Sequence, residues 1–152
     1  MTKNFVVAIL KPTNSVGFFM KFSTRSQYGL RAMVFLAKSR KISSLKEISE
    51  LEGISFNYLE KIVSKLEKAG FLGAKKGAYG GYFLKLSPNK IKIGEIIKAL
   101  EGEISFVKCI DKKERYVCPR EKKCLTKNFW KKVQKNLNST LNSMTLADLI
   151  KK

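Results

Sequence analysis

Residues 44–86 read SLKEISELEGISFNYLEKIVSKLEKAGFLGAKKGAYGGYFLKL, and this stretch decides the fold. Ser44 and Glu47 have the serine-to-glutamate spacing of a capping box, which predicts a short helix through Leu51. Gly53 ends it. Ser55 is placed to cap a second helix running to about Ala69, with Gly70 as its stop. Leu59, Ile62, Val63 and Leu66 then share one face at helical spacing and supply core, while Asn57, Lys61, Ser64 and Lys68 share the other. Two short apolar segments, Phe71–Lys76 and Tyr82–Leu86, flank the glycine cluster Gly77–Gly81 and read as a β-hairpin with a loose tip. Helix, glycine turn, helix and hairpin, in that order, make a winged helix-turn-helix whose polar second helix suits a major groove. A hairpin that only stabilises the domain carries the same turn signals.

Working outward, Ser23–Lys38 carries Tyr28, Leu30, Ala32, Met33, Phe35, Leu36 and Ala37 in an amphipathic pattern and forms a preceding helix. Residues 1–19 lack a sustained period, and Met20 opens the patterned region. We therefore expect residues 1–19 to be an upstream extension or a mis-called start. Downstream, Ser87-Pro88 breaks the strand, and Ile93, Ile96, Ile97 and Leu100 make a short helix closed by Gly102. Residues 103–125 form a loop holding all three cysteines. From Thr126 a long helix carries Trp130, Val133, Leu137, Leu141 and Met144 at steps of three and four, like a coiled-coil seam. Its economical partner is a second copy in a symmetric homodimer; packing back on the winged helix is the other solution. The expected organisation is an extension (1–19), a DNA-binding domain (20–102), a cysteine loop (103–125) and a dimerisation helix with tail (126–152). The fold class is mainly α with a small β-hairpin wing.

The chain has 31 Lys and Arg against 12 Asp and Glu, a formal charge of +19 over 152 residues. Such a chain is drawn to polyanions, double-stranded DNA first, because each neutralised phosphate releases counterions. A lysine-rich solvated surface gives the same balance. Histidine is absent, which removes the commonest metal ligand and the commonest general base. No nucleophile motif or phosphate-cradling loop replaces it, so an enzyme is excluded. The longest apolar run, Phe5–Leu10, is too short to span a membrane, and a cytoplasmic protein without membrane partners is expected.

Cys109, Cys118 and Cys124 stand at C-x8-C-x5-C. An odd, clustered set is no disulfide framework and suggests a metal or cluster site, with free or redox-active thiols as the alternative. Thiolates suit iron–sulfur clusters and zinc, both of which want four ligands. Asp111, Glu114 and Glu121 are the local candidates for the fourth. Lys108, Arg115, Arg120, Lys122 and Lys123 would favour thiolate and offset an anionic cluster.

Several segments together identify a likeness: Ser26–Met33, Ile48–Glu50, Gly53–Glu60, Lys76–Tyr82, Leu100–Gly102 and Thr145–Leu149. In this order they resemble the Rrf-type family of bacterial winged-helix transcription regulators. The resemblance implies a homodimeric repressor or activator at a two-fold symmetric operator. It also implies a 2Fe–2S cluster, or in some members 4Fe–4S, held by Cys109, Cys118 and Cys124. Family members complete the site with a histidine three residues after the last cysteine, here Lys127, or with an acidic residue of the partner's first helix, here about Gln27. The fourth ligand and the cluster type are therefore open. A thiol- or zinc-based regulator without a cluster, answering a redox or cysteine-metabolism signal, is the alternative, and an adaptor with no DNA role is a rival. The expected DNA contacts are Arg25, Tyr28, Arg31, Ser44, Ser55, Asn57, Tyr58, Glu60, Lys61, Lys65, Lys75, Lys76, Gly77 and Tyr79. Asn57 can pair with adenine and Glu60 with cytosine, each giving about 1–3 kcal/mol of discrimination. Lys76 replaces a wing arginine and loses its bidentate fork.

Overall fold

The computed structural model describes residues 22–110 and 116–151. The expected extension at 1–19, Asp111, Glu114 and Arg115 lie outside the described residues. Three helices open the chain: α1 (Thr24–Ser39), α2 (Leu45–Glu52) and α3 (Phe56–Lys68). The hairpin β1 (Leu72–Lys75) and β2 (Gly81–Leu84) follows, then α4 (Ile93–Glu101), α5 (Lys127–Ser143) and α6 (Leu146–Ile150). The architecture is mainly helical with one small wing.

The start and stop signals around α2 work locally. Ser44 Oγ accepts from the Glu47 amide at 3.1 Å. The Glu47 carboxylate turns mainly to Lys41, 2.9 Å away, and that contact holds its pKa below the ordinary value. Gly53 takes the left-handed conformation (φ 60°) that an L side chain resists. The Ile54 amide then bonds back to the Ser49 carbonyl at 3.0 Å, and Ser49 Oγ donates to the Ile54 carbonyl at 2.6 Å. Ser55 occupies the expected N-cap of α3, but its hydroxyl makes no cap hydrogen bond. Its carbonyl accepts from the Tyr58 and Leu59 amides instead. The Phe56 and Asn57 amides at the start of α3 are left to other partners.

One core gathers the inner faces of α1, α3 and α4. Met33, Ile48, Leu59, Ile62, Leu66, Leu72, Ile96 and Leu100 are all fully buried in it. The wing pairs antiparallel, Leu72 opposite Leu84 and Lys75 opposite Gly81. A single residue between α1 and α2 extends this sheet. Ser43 and Tyr82 exchange backbone hydrogen bonds at 3.1 and 2.8 Å. A Cβ at Gly81 would lie 2.3 Å from the Ser43 carbonyl oxygen, so only glycine permits that approach.

The last helix of the sequence pattern ends earlier than its apolar stripe suggests. Met144 is extended and 40% exposed, and α5 stops at Ser143. Thr145 then opens α6 with a capping box closed by Asp148. The Thr145 amide and hydroxyl together hold the Asp148 carboxyl well below the usual carboxylate range. This terminal helix is sewn into the winged helix. The Ile93 amide donates to the Met144 carbonyl (3.0 Å), the Leu146 amide to Ile91 (2.8 Å), and the Leu146 side chain is fully buried.

Candidate nucleic-acid interface and cysteine loop

The core stripe of α3 fixes which side chains it turns outward. Asn57, Glu60, Lys61, Lys65 and Lys68 are exposed on that outer face. Phe56, at the first position of α3, is 46% exposed, and Leu51 across the turn is 68% exposed. The sequence pattern marks neither, because it identifies the outer face by its polar residues alone. Beside this face the wing tip presents Lys75, Lys76, Gly77 and Tyr79, the last 93% exposed. The wing strand β1 packs beside α3, and burial first, then Glu67 and Glu60 of α3, raise the Tyr82 pKa.

The other expected contacts are placed differently. Tyr58 is half-buried, its ring edge-on to Tyr28 at 6.0 Å. The Arg31 guanidinium lies 5.6 Å from the Tyr28 ring centroid and pairs with Glu52 at 3.0 Å, also donating to the Glu52 carbonyl. Arg31 therefore ties α1 to the end of α2. Arg25 donates to the Leu100 carbonyl at 3.3 Å, at the end of α4. Next to it, Ser23 and Ser26 both donate to Glu101 Oε1, the latter at 2.7 Å. Burial works against the Glu101 charge, and the serine hydroxyls, with Arg25 beyond, outweigh it, so the carboxyl titrates below its ordinary value. Ser44 stays exposed at the start of α2.

Glu101 is also the last helical residue before the cysteine loop. That loop is pinned to α5 by Phe106, stacked on Trp130 at 6.4 Å. Cys109, Cys118 and Cys124 are unpaired and half-buried. Cys124 Sγ lies 3.5 Å from Thr126 Oγ1, and the Thr126 hydroxyl, with Lys127 behind it, lowers the thiol pKa. Lys127, where the resemblance expects histidine, is ion-paired with Glu121. Glu121 raises the Lys127 pKa, and the sulfurs of Cys109 and Cys124 add to that effect despite partial burial. Two of the three thiols thus face one ammonium group. Among the described residues no three Cys, Asp or Glu side chains converge as a metal site. Glu121 is committed to Lys127, and Gln27 donates to the Phe22 carbonyl at 3.0 Å. By type three sulfurs suit an iron–sulfur group, but in this arrangement they do not converge, and among the described residues only Cys109 and Cys124 have a cation, Lys127, beside them.

No helix among the described residues is long and apolar enough to cross a membrane. Residues 22–152 match the Rrf2 family model, described as iron-dependent transcriptional regulator. The chain is 40% identical over 134 residues to protein rrf2 of Nitratidesulfovibrio vulgaris, covering 87% of this chain and 88% of that one. It is 39% identical over 132 residues to the HTH-type transcriptional regulator CymR of Bacillus subtilis (86% and 89% covered). The solved structure of that CymR, the global cysteine regulator of B. subtilis, superposes with a TM-score of 0.69 over 86% of this chain and 95% of its own. T. potens IscR gives 0.69 at 38% identity, with 87% of each chain covered. These relatives are regulators rather than enzymes, and this chain belongs to the Rrf2 family of winged-helix transcriptional regulators.

Proposed function

We propose that the chain is a cytoplasmic, homodimeric, sequence-specific repressor whose DNA affinity is set at the cysteine loop. The observation that supports this is the bonding of Glu101. The residue that leads into the loop holds Ser23, at the N-cap of α1, and Ser26 within it, and α1 in turn meets α3 through the Tyr28–Tyr58 pair. A change of order in the loop therefore has a packed route to the recognition helix. On DNA, the open Phe56 and Asn57 amides at the start of α3 bind phosphate. Asn57 and Glu60 read base edges, while Lys61, Lys65, Lys75 and Lys76 anchor the backbone. Tyr79 reaches beyond them from the wing. The half-buried stripe Trp130, Val133, Leu137 and Leu141 pairs with its copy across the dimer axis.

Cys109, Cys118 and Cys124 would hold an iron–sulfur cluster, which supplies a redox- and iron-sensitive crosslink of the loop. Lys127, beside Cys109 and Cys124, would offset the cluster's negative charge, and Thr126 and Lys127 lower the Cys124 pKa. A thiol-based regulator without a cluster is the second reading. It is favoured by the lowered Cys124 pKa and by the likeness to the cysteine regulator CymR.

Anaerobic purification with iron and sulfide assays, followed by operator binding before and after cluster removal, tests this. We expect coloured protein with matching iron and sulfide, lost in Cys118→Ala, and an operator affinity that changes with the cluster. Colourless protein even after reconstitution overturns the cluster. Identical operator binding in all thiol and cluster states overturns the sensor loop altogether.

A further inference from the structure

Strand β2 pairs with β1 along one edge and with a single residue on the other. On that second edge Tyr82 exchanges backbone hydrogen bonds with Ser43. Backbone groups alternate sides along a strand, so those of Leu84, two residues on, are directed to the same edge as those of Tyr82. The Lys85 amide, one residue further, donates to the Phe71 carbonyl on the β1 side at 3.0 Å, as this alternation requires. The Leu84 amide and carbonyl meet no backbone partner on their edge among the described residues. The chain before Ser43 comes from the end of α1, where Arg40 is left-handed (φ 52°), and does not continue the pairing.

The gap between these two segments is a groove of about 560 Å³. Buried Leu36 of α1 and Leu84 of β2 supply apolar lining, and Ile42 and Leu86 stay exposed along it. Arg40, Lys41 and Lys85 also line it, and none of the described lining residues is acidic. Lys41 is paired with Glu47, whereas Arg40 and Lys85 make no ion pair among the described residues.

We propose that this groove takes an extended acidic–apolar segment of a partner protein as an added antiparallel strand on β2, in line with Ser43. An open strand edge supplies main-chain hydrogen bonds to such a segment, and alternate side chains decide which segment fits. One alternate set lies with Leu84, which packs on the core, and is apolar. The other lies with exposed Lys85 and is acidic. A phosphate backbone would answer the cations but not the apolar lining or the amide and carbonyl of Leu84. None of these residues belongs to the outer face of α3, the wing tip or the α5 stripe. The site therefore goes beyond the reading above, giving the regulator a partner that it holds while on its operator.

Residue-by-residue amide exchange in the full chain tests this, with a seven-residue peptide alternating valine and aspartate as probe. We expect saturable binding and exchange of the Leu84 amide slowed by at least about tenfold, with the Tyr82 amide, already bonded to Ser43, little changed. In an antiparallel pair the amide opposite Leu84 belongs to a valine. N-methylation of the central valine should therefore weaken binding by at least about tenfold, and methylation of a neighbouring aspartate should not. The Arg40→Asn/Lys85→Gln variant changes two exposed positions, and asparagine tolerates the left-handed conformation. It should lose peptide binding by at least about tenfold while keeping its melting temperature and operator affinity. Unchanged Leu84 exchange, equal binding of the two methylated peptides, an unchanged isotherm in the double variant, or binding that never saturates would each overturn the site. Weaker operator binding by that variant would overturn it too, by making the groove part of the DNA surface. Failure of the repressor reading appears separately, as lost operator selectivity without peptide.

Discussion

Phe56 is the residue at which burial and position disagree most usefully. A phenylalanine at the first turn of a helix ordinarily turns inward, yet this one is 46% exposed beside exposed Leu51. If α3 enters the groove as proposed, an aromatic edge here can lie against a thymine methyl or a sugar, contacts that reward apolar surface. Truncating a side chain this exposed costs the fold little, within about 0.5 kcal/mol. Phe56→Ala should therefore leave the melting temperature in place and weaken operator binding by roughly 1 kcal/mol, about fivefold. Competition binding against operators with thymine replaced by uracil would locate the contact. An unchanged affinity would remove Phe56 from the interface. Lys127 carries a related lesson at the other end of the molecule. Its spacing from Cys124 marks it in the sequence as a departure from histidine, whereas its pairing with Glu121 depends on how the loop folds.

At the scale of elements, local chemistry and legibility coincide. The boundaries of α2 and α3 could be read because Ser44, Gly53 and Gly70 act on backbone within a few residues of themselves. The cysteine loop could be read because thiols announce themselves by type. The Ser43–Tyr82 bridge is a one-residue strand and carries no period. The pairing of Arg31 has no local signal either, because its partner, Glu52, is 21 residues away. The segment α6 was hidden for a different reason. Met144 continues the three-and-four spacing of α5, so the hydrophobic period runs past a break that only the Thr145–Asp148 capping box reveals. Burial of Leu146 makes that short helix structural. Leu146→Ala should destabilise the winged helix by about 2–5 kcal/mol, the range for a leucine removed from a closed core. Denaturant unfolding should show the loss as a lower midpoint. A change below about 0.5 kcal/mol would mean that the tail is dispensable.

For the whole molecule, the charge of +19 governs association rather than fold. Operator binding should weaken steeply with salt, by a slope of about 0.9 in log–log terms for each phosphate neutralised. Lys61→Gln and Lys65→Gln should each lower that slope by about 1 while leaving the preferred sequence unchanged. Asn57→Ala should do the reverse. If the lysine variants keep the full slope, the phosphates are neutralised elsewhere on this basic surface. The charge also accounts for a limit on reading the sequence: 31 basic residues cannot all touch DNA, and composition alone does not say which of them share a face.

The backbone bonds that sew α6 to Ile91 and Ile93 have a mechanical consequence for α5. The helix is clamped at its carboxyl end and leads at its amino end into the cysteine loop, so it behaves as a cantilever. Its 17 residues make a beam about 25 Å long, and a tilt of about 5° at the clamp carries the amino end, with the loop resting on it, through roughly 2 Å. Displacement grows along the beam from Leu141 to Trp130. Events at the cysteines should therefore be registered as a change of angle between helices, largest where Phe106 rests on Trp130 and smallest where the chain rejoins the core.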